Sequence, residues 1–369
     1  MNGLESRRRR QSWAWAGIIA LLLSGLGMAV DIRTFFACWL AAWWTCAGAV
    51  LGSQANAWLH DLTGGAWGLP LRPIWRRLAA TLPMLLILML PLIAAAWLSY
   101  PWSQAGWTPG TDQPAFKAAW LSPAFVTARL ILYAGFWQAC LHPGRHMRSK
   151  GASAACLIVY GLTASLASVD LILSLMPQWY SSGFGLIAIA MQMKLGFALG
   201  VAGASRPASD ASGPGFRPEL GRDWGNLLLM YVLMWAYLAF VQFLIVWAEN
   251  LPNEIAWYLP RMQTGWIWLG GALVALDVFV PLMLLLFRSI KQDRQRLLAL
   301  ACLLCVLGWL ESIWITLPSV PDLSRHALWV APLALAGMAL LLWAVAMPDG
   351  RKESFRWARR AIQEDGARQ

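Results

Sequence analysis

The chain has 369 residues, 59% of them hydrophobic and 13% charged, with a mean hydropathy of +0.54, which is more apolar surface than a soluble domain can bury and excludes a soluble pocket enzyme. The net charge of +11 does not indicate nucleic-acid binding, because the cations lie in short segments between apolar runs instead of forming one basic domain. Composition predicts an all-α, polytopic integral membrane protein set in a lipid bilayer, its cations explained by positive-inside bias and anionic headgroups.

Windows of about 20 apolar residues predict ten transmembrane helices over 13–30, 35–59, 78–98, 122–141, 153–175, 178–203, 225–250, 265–287, 297–317 and 327–347. They divide the chain into a basic N-terminal segment 1–12, a membrane domain 13–347 and a basic tail 348–369. The opening run RRRRQSWAWAGIIALLLSGLGMAV resembles a secretory signal. It is read as a retained span, because its loss would leave nine spans and move the basic tail to the opposite side. With the N-terminus cytoplasmic, 23 of the 29 cations fall on the inner side, four on the outer, and Arg129 and Lys194 within helices, so both termini are expected inside.

Transmembrane haem needs histidines within facing spans, whereas His60, His142, His146 and His326 all sit at predicted helix ends or in loops. There is also no C-x-x-C-H attachment, no cysteine framework for an iron–sulfur cluster, no Gly-rich dinucleotide motif and no P-loop. No cofactor or metal is therefore expected in this chain. Cys302-x-x-Cys305 has redox spacing, but it lies on a predicted helix without a second pair and reads as buried thiols.

Polar groups inside the spans are the candidates for function. From a rise of about 1.5 Å per residue, Lys194 and Asp277 fall near mid-membrane on the sixth and eighth spans. Arg129, Asp170 and Glu311 fall in the outer third of the fourth, fifth and ninth, and Glu249 near the outer surface. Shared depth predicts two pairs, Arg129 with Asp170 and Lys194 with Asp277, serving either as register pins or as proton carriers. Tyr160, Thr163, Asp170 and Ser174 share one face of the fifth helix, and Trp235, Gln242 and Glu249 repeat every seven residues on the seventh. With Lys194 and Asp277 these polar residues make a candidate proton path. Ser181, Gly185, Ala188, Gln192 and Gly196 form a small-residue face suited to close helix packing.

Three segments resemble one family, the NrfD-like membrane subunits of alternative complex III, a quinol:cytochrome c oxidoreductase. LHDLTGGAWG (59–68) is similar to the family's turn after the second helix, and DLILSLMPQWYSSGFG (170–185) to its Pro-His-Trp-Tyr hairpin. RDWGNLLLMYVLMWAYLAFVQFLIVWAENLPNEIAWYLPR (222–261) is the most specific match, and the likeness is to the ActF-type subunit. Gln178, Met176, Asp61 and Asn253 stand where the family commonly has other polar or titratable residues.

The resemblance implies two four-helix bundles, spans two to five and six to nine, flanked by the first and last helices, in a bacterial inner membrane. It implies other membrane subunits as partners, and outer-face iron–sulfur and multihaem cytochrome c subunits that hold the redox centres. The expected function is a cofactor-free subunit of a quinol-oxidising respiratory complex that docks these partners and conducts protons. The alternatives are direct quinol binding among Asp170, Trp179 and Tyr180, and a secondary transporter built on Lys194 and Asp277. In ENLPNEIAWY, Pro252 is expected to stop the seventh helix and Trp257 and Tyr258 to lie at headgroup level.

Overall fold

The computed structural model describes residues 3–110, 114, 116–141, 149–206 and 216–347. The basic tail, His142, His146, Arg145 and Arg148 of the sequence reading lie outside these residues, as do the first two positions of the N-terminal segment. Every regular element among the described residues is helical. Among the described residues nine helices are long and apolar enough to cross a bilayer, and they make this a multi-pass α-helical membrane protein.

The long helices are α1 (Gly3–Val30), α2 (Ile32–Thr63), α3 (Arg72–Leu98), α4 (Pro123–Leu141), α5 (Lys150–Leu175), α6 (Phe184–Ala204), α7 (Pro218–Glu249), α8 (Trp266–Leu286), α9 (Arg294–Ser319) and α10 (Ala327–Ala346). The nine are all of these except α4. The sixth helix begins six residues later than the sequence predicts, because 176–183 form an irregular hairpin after α5.

Each junction has a local cause. Asp31 alone separates α1 from α2, and its carboxylate accepts the Arg33 N–H and the Thr34 hydroxyl, capping the orphan donors of the new helix. At the end of α2, Gly64 (φ 71°) and Gly65 (φ 97°) take positive dihedrals that a side chain would strain. The turn they make is locked by Arg72, which pairs with Asp61 and donates to His60 Nδ1 at 3.0 Å. Ser153 of α5 donates to the same Asp61 carboxylate at 3.0 Å. At the end of α7 the sequence assigns the stop to Pro252, but Asn250 (φ 51°) ends the helix in a left-handed cap, its N–H on the Val246 carbonyl. Pro252 instead opens the next short turn, Pro252–Ile255.

Helices α2, α3, α4 and α5 pack around one another in a ring, α6, α7, α8 and α9 in a second ring, and α1 and α10 lie together against α2. The rings meet where α2 crosses α6. There α2 loosens into a π-helical stretch, Gly48–Gly52, and two glycines lie almost backbone to backbone. A Cβ on Gly196 would sit 2.2 Å from Ser53 N, and one on Gly52 1.9 Å from the Gln192 carbonyl oxygen. Around this contact Asn56 Nδ2 donates to the Met193 carbonyl at 2.9 Å, Trp75 Nε1 to the Gly196 carbonyl at 3.0 Å, and the Tyr231 hydroxyl to Asn56 Oδ1. Of the predicted small-residue face, Gly196 makes this crossing and Gly185 packs on Ser165 of α5. Away from the interior, α1, α7 and α8 turn large apolar side chains outward, Leu22, Trp247 and Phe279 among them, as lipid-facing helices do.

The crossing has a direct test. Gly196→Val forces a side chain into the backbone of α2, and since overpacking costs about 1–3 kcal/mol even where side chains can yield, the variant is expected to lose most folded protein in detergent. Gly161→Ala, with nothing within 4 Å of the new methyl, should melt at or slightly above the parent temperature. Both outcomes are read by size exclusion and thermal melting.

Candidate functional site

The sequence pairs Lys194 with Asp277, and the structure brings them together with a third group. Lys194 Nζ donates to Asp277 Oδ2 and also to Glu311 Oε1. All three side chains are buried, and the ammonium lies 4.2 Å over the ring of Trp235. Asp277 reaches this position because α8 is π-helical over Val274–Phe279. The widened turn points Asp277 inward while Val274, Leu276 and Phe279 remain exposed. Glu311, expected in the outer third of its span and apart from this pair, is its third member. Counting residues along separate helices leaves out the length of the lysine side chain.

Two carboxylates here face one ammonium. Asp277 Oδ1 and Glu311 Oε2 make no hydrogen bond to a donor, and the other oxygen of each carboxylate accepts from the same ammonium. With both ionised the cluster carries an uncompensated negative charge in a water-poor interior, a costly state. One added proton removes it.

The second predicted pair is also formed, in the first ring. Arg129 Nη2 and Nε donate to the two oxygens of Asp170 at 2.7 and 2.9 Å, a bidentate fork, and Tyr133 adds its hydroxyl at 2.9 Å. Trp120 and Phe125 cover the guanidinium at 4.0 and 4.6 Å. This cluster is balanced, one charge of each sign.

The polar stripe of α5 is not a continuous chain. Tyr160 donates across to Gln192 Oε1 of α6 at 3.0 Å, Thr163 accepts from Trp137 Nε1 at 2.9 Å, and Ser174 returns to the Asp170 backbone carbonyl. Tyr160 joins α5 to α6, Thr163 and Asp170 join it to α4, and Ser174 bonds within α5. The stripe of α7 is more connected: Trp235 underlies Lys194, and Gln242 accepts from Ser181 at 2.8 Å and donates to the Tyr258 hydroxyl at 3.4 Å. Glu249 ends it on the exposed surface, where lost hydration and the Glu249 carboxylate raise neighbouring Glu254 above its usual range.

The candidate quinol residues do not converge. Asp170 is fully engaged by Arg129 and Tyr133, and Tyr180 is 67% exposed. Trp179 is buried, donating to the Glu254 carbonyl at 2.8 Å and stacking on Trp257 with centroids 5.1 Å apart. Trp257 is therefore a core residue and not the headgroup anchor expected. It is held there by Arg261, read from sequence as an ordinary outer cation but fully buried, 3.4 Å over the Trp257 ring. Arg261 donates to the carbonyls of Trp257, Trp314 and Ile315 and to Ser319 Oγ. It thus satisfies carbonyls in the last turn of α9, where a cation is favoured.

Between α6, α7, α8 and α9 lies a cavity of about 490 Å³. Its walls are apolar and aromatic, with Phe184, Trp235, Phe243, Trp257 and Trp314 among them, and its polar members are Gln242, Tyr258, Arg261 and Glu311. Nothing in the residue order announces it, because it is assembled from four helices. Cys302 is exposed and Cys305 half-buried, without a disulfide, and no cluster of three or more metal-ligating side chains occurs among the described residues. Set beside known proteins, the chain matches no family model, and no curated protein is significantly similar to it.

Removing one partner of the Arg129–Asp170 fork leaves a buried charge alone, at a cost of about 3–5 kcal/mol. Arg129→Leu and Asp170→Leu are each expected to cut the yield of monodisperse protein severely, and the double variant to recover much of it. A double variant no better than the worse single one would break the pairing.

Proposed function

We propose that this chain is a cofactor-free membrane subunit of a quinol-oxidising respiratory complex of the alternative complex III type, and that it moves protons through its second ring of helices. In this reading α4 is the tenth span, both termini are cytoplasmic, and the two rings are the four-helix bundles that the NrfD-like resemblance implies. The protein would sit in a bacterial inner membrane beside other membrane subunits, with iron–sulfur and multihaem cytochrome c subunits docked on the outer face.

The observation that carries the proton role is the Lys194–Asp277–Glu311 cluster. Its two carboxylates and one ammonium favour uptake of a single proton, and each uptake or release changes the buried charge by one. The Ser181–Gln242–Tyr258 hydrogen bonds supply polar groups between this level and the α7–α8 connection. The balanced Arg129–Asp170 fork has no such excess and acts as a register pin. Leaving redox chemistry to partners is supported by the two histidines among the described residues, His60 being tied to Arg72 and the Gly65 carbonyl and His326 to Ser324.

The test uses the complex purified from native membranes through a tag on this chain. Cytochrome and iron–sulfur subunits are expected to co-purify and to oxidise quinol, with no visible chromophore retained by this chain after the partners are stripped. A chain that purifies alone from mild detergent, or keeps a stoichiometric chromophore, would overturn the assignment. Within the complex, Lys194→Met with Asp277→Leu leaves Glu311 as a single group that becomes neutral by protonation. Assembly and electron transfer should persist while proton release into reconstituted vesicles falls. Unchanged proton movement would reduce the cluster to a structural pin.

A further inference from the structure

The second half of the membrane domain repeats the first in sequence, and the repeat isolates what is unusual about the cavity. Trp120-Leu121, then Ala124-Phe125-Val126, then Arg129 on α4 correspond to Trp268-Leu269, Ala272-Leu273-Val274 and Asp277 on α8, at identical spacings. Gly48, Leu51 and Gly52 of α2 correspond to Gly196, Leu199 and Gly200 of α6. Asp170 and Glu311 each stand seven residues before a proline, Pro177 and Pro318. The cation of the first half is thus an aspartate in the second, and Lys194 answers from the position of Cys46. The change also alters shape. Trp120 covers the Arg129 guanidinium, whereas Trp268, with no guanidinium to cover, is 81% exposed. The second half is left with an excess carboxylate beside an open cavity, the first with a closed fork.

Only Glu311 of the charged cluster lines that cavity, and it is 1% exposed with Oε2 accepting no hydrogen bond from a donor. The mouth lies between α7 and α8, where Phe240, Ile267, Val274 and Phe279 are at once wall and exposed apolar surface, so entry is from the hydrocarbon. The volume of about 490 Å³ falls in the usual range for small-molecule sites. The occupant's charge is constrained as well. The faces of Trp235 and Trp257 already hold Lys194 and Arg261, which disfavours a lipophilic cation, and an anion would face Glu311 in a cluster already short of positive charge. A neutral molecule with a hydrogen-bond donor meets both conditions.

We propose that this cavity is a binding site, entered from the bilayer, for a neutral apolar molecule bearing a hydroxyl group, whose O–H is donated to Glu311. The inference stands on the cavity and its carboxylate and does not depend on the respiratory reading. Aliphatic alcohols and ring phenols share the required chemistry.

The experiment measures saturable quenching of tryptophan fluorescence in the full chain reconstituted in nanodiscs. The probes are 4-decylphenol, 1-tetradecanol, 4-decylanisole and decyltriphenylphosphonium. Binding of 4-decylphenol or of tetradecanol is expected, the tighter of the two telling ring from chain. The anisole, which keeps the body but lacks the donor, should bind about tenfold more weakly than the phenol, the size of one lost buried hydrogen bond. Gly271 lines the cavity and a Cβ there meets nothing within 4 Å, so Gly271→Phe should fill the space and abolish saturable binding without lowering the melting temperature. Glu311→Gln, which leaves Lys194 paired with Asp277, should weaken the hydroxylated probe about tenfold and leave the anisole unaffected. The proposal fails if no hydroxylated probe binds, if phenol and anisole bind alike, if Gly271→Phe leaves binding intact, or if the phosphonium binds best.

Discussion

The structure depends on the close approach of α2 and α6. Helix backbones can lie this near only where side chains are missing from both, and Gly52 and Gly196 provide that. The contact joins the two rings, buries most of α6 and sets its rotation. Lys194 stands two residues before Gly196, roughly 200° around the helix at 3.6 residues per turn. Fixing the glycine against α2 therefore directs the lysine the other way, towards α8 and α9 where Asp277 and Glu311 wait. One steric requirement thus positions the most expensive charge in the molecule.

From that position follows a contrast between the halves. The Arg129–Asp170 fork is balanced in charge, with two hydrogen bonds, a tyrosine and an aromatic cover. The Lys194 cluster is one charge out of balance when both carboxylates are ionised, and an isolated charge at membrane depth costs several kcal/mol. The same framework thus holds a balanced charge cluster in one half and an unbalanced one in the other.

How much of this could be read in the residues depended on how isolated each signal was. Lone charges inside apolar runs are conspicuous, so Arg129, Asp170, Lys194 and Asp277 could be found and paired by depth alone. Glu311 was visible as a charge but not as a partner, because depth counted along one helix ignores tilt and the reach of a lysine. Arg261 sits in a connection between spans, where cations are ordinary, and only the approach of the α9 carbonyls reveals that it is buried. Trp257 looked like an interfacial aromatic for the same reason, and it is stacked on Trp179 in the core. The apolar stretches predicted the helices well.

The π turn of α8 has a consequence for how this helix is shared between its neighbours. A π turn holds one residue more than the α-helical turn it replaces, so the two ends of α8 are out of phase by about 100° while the axis runs on. The end near Trp266 can thus offer one stripe to α9 as the end near Leu286 offers a different one to α7. Side-chain phase becomes adjustable independently of span length. Losing one residue within Val274–Phe279 would shorten the helix by little, yet it would turn Asp277 relative to one end and rearrange every contact beyond it. The stretch shifts the helical phase within one span, and it holds Asp277 facing the protein on a helix that turns Val274, Leu276 and Phe279 outward.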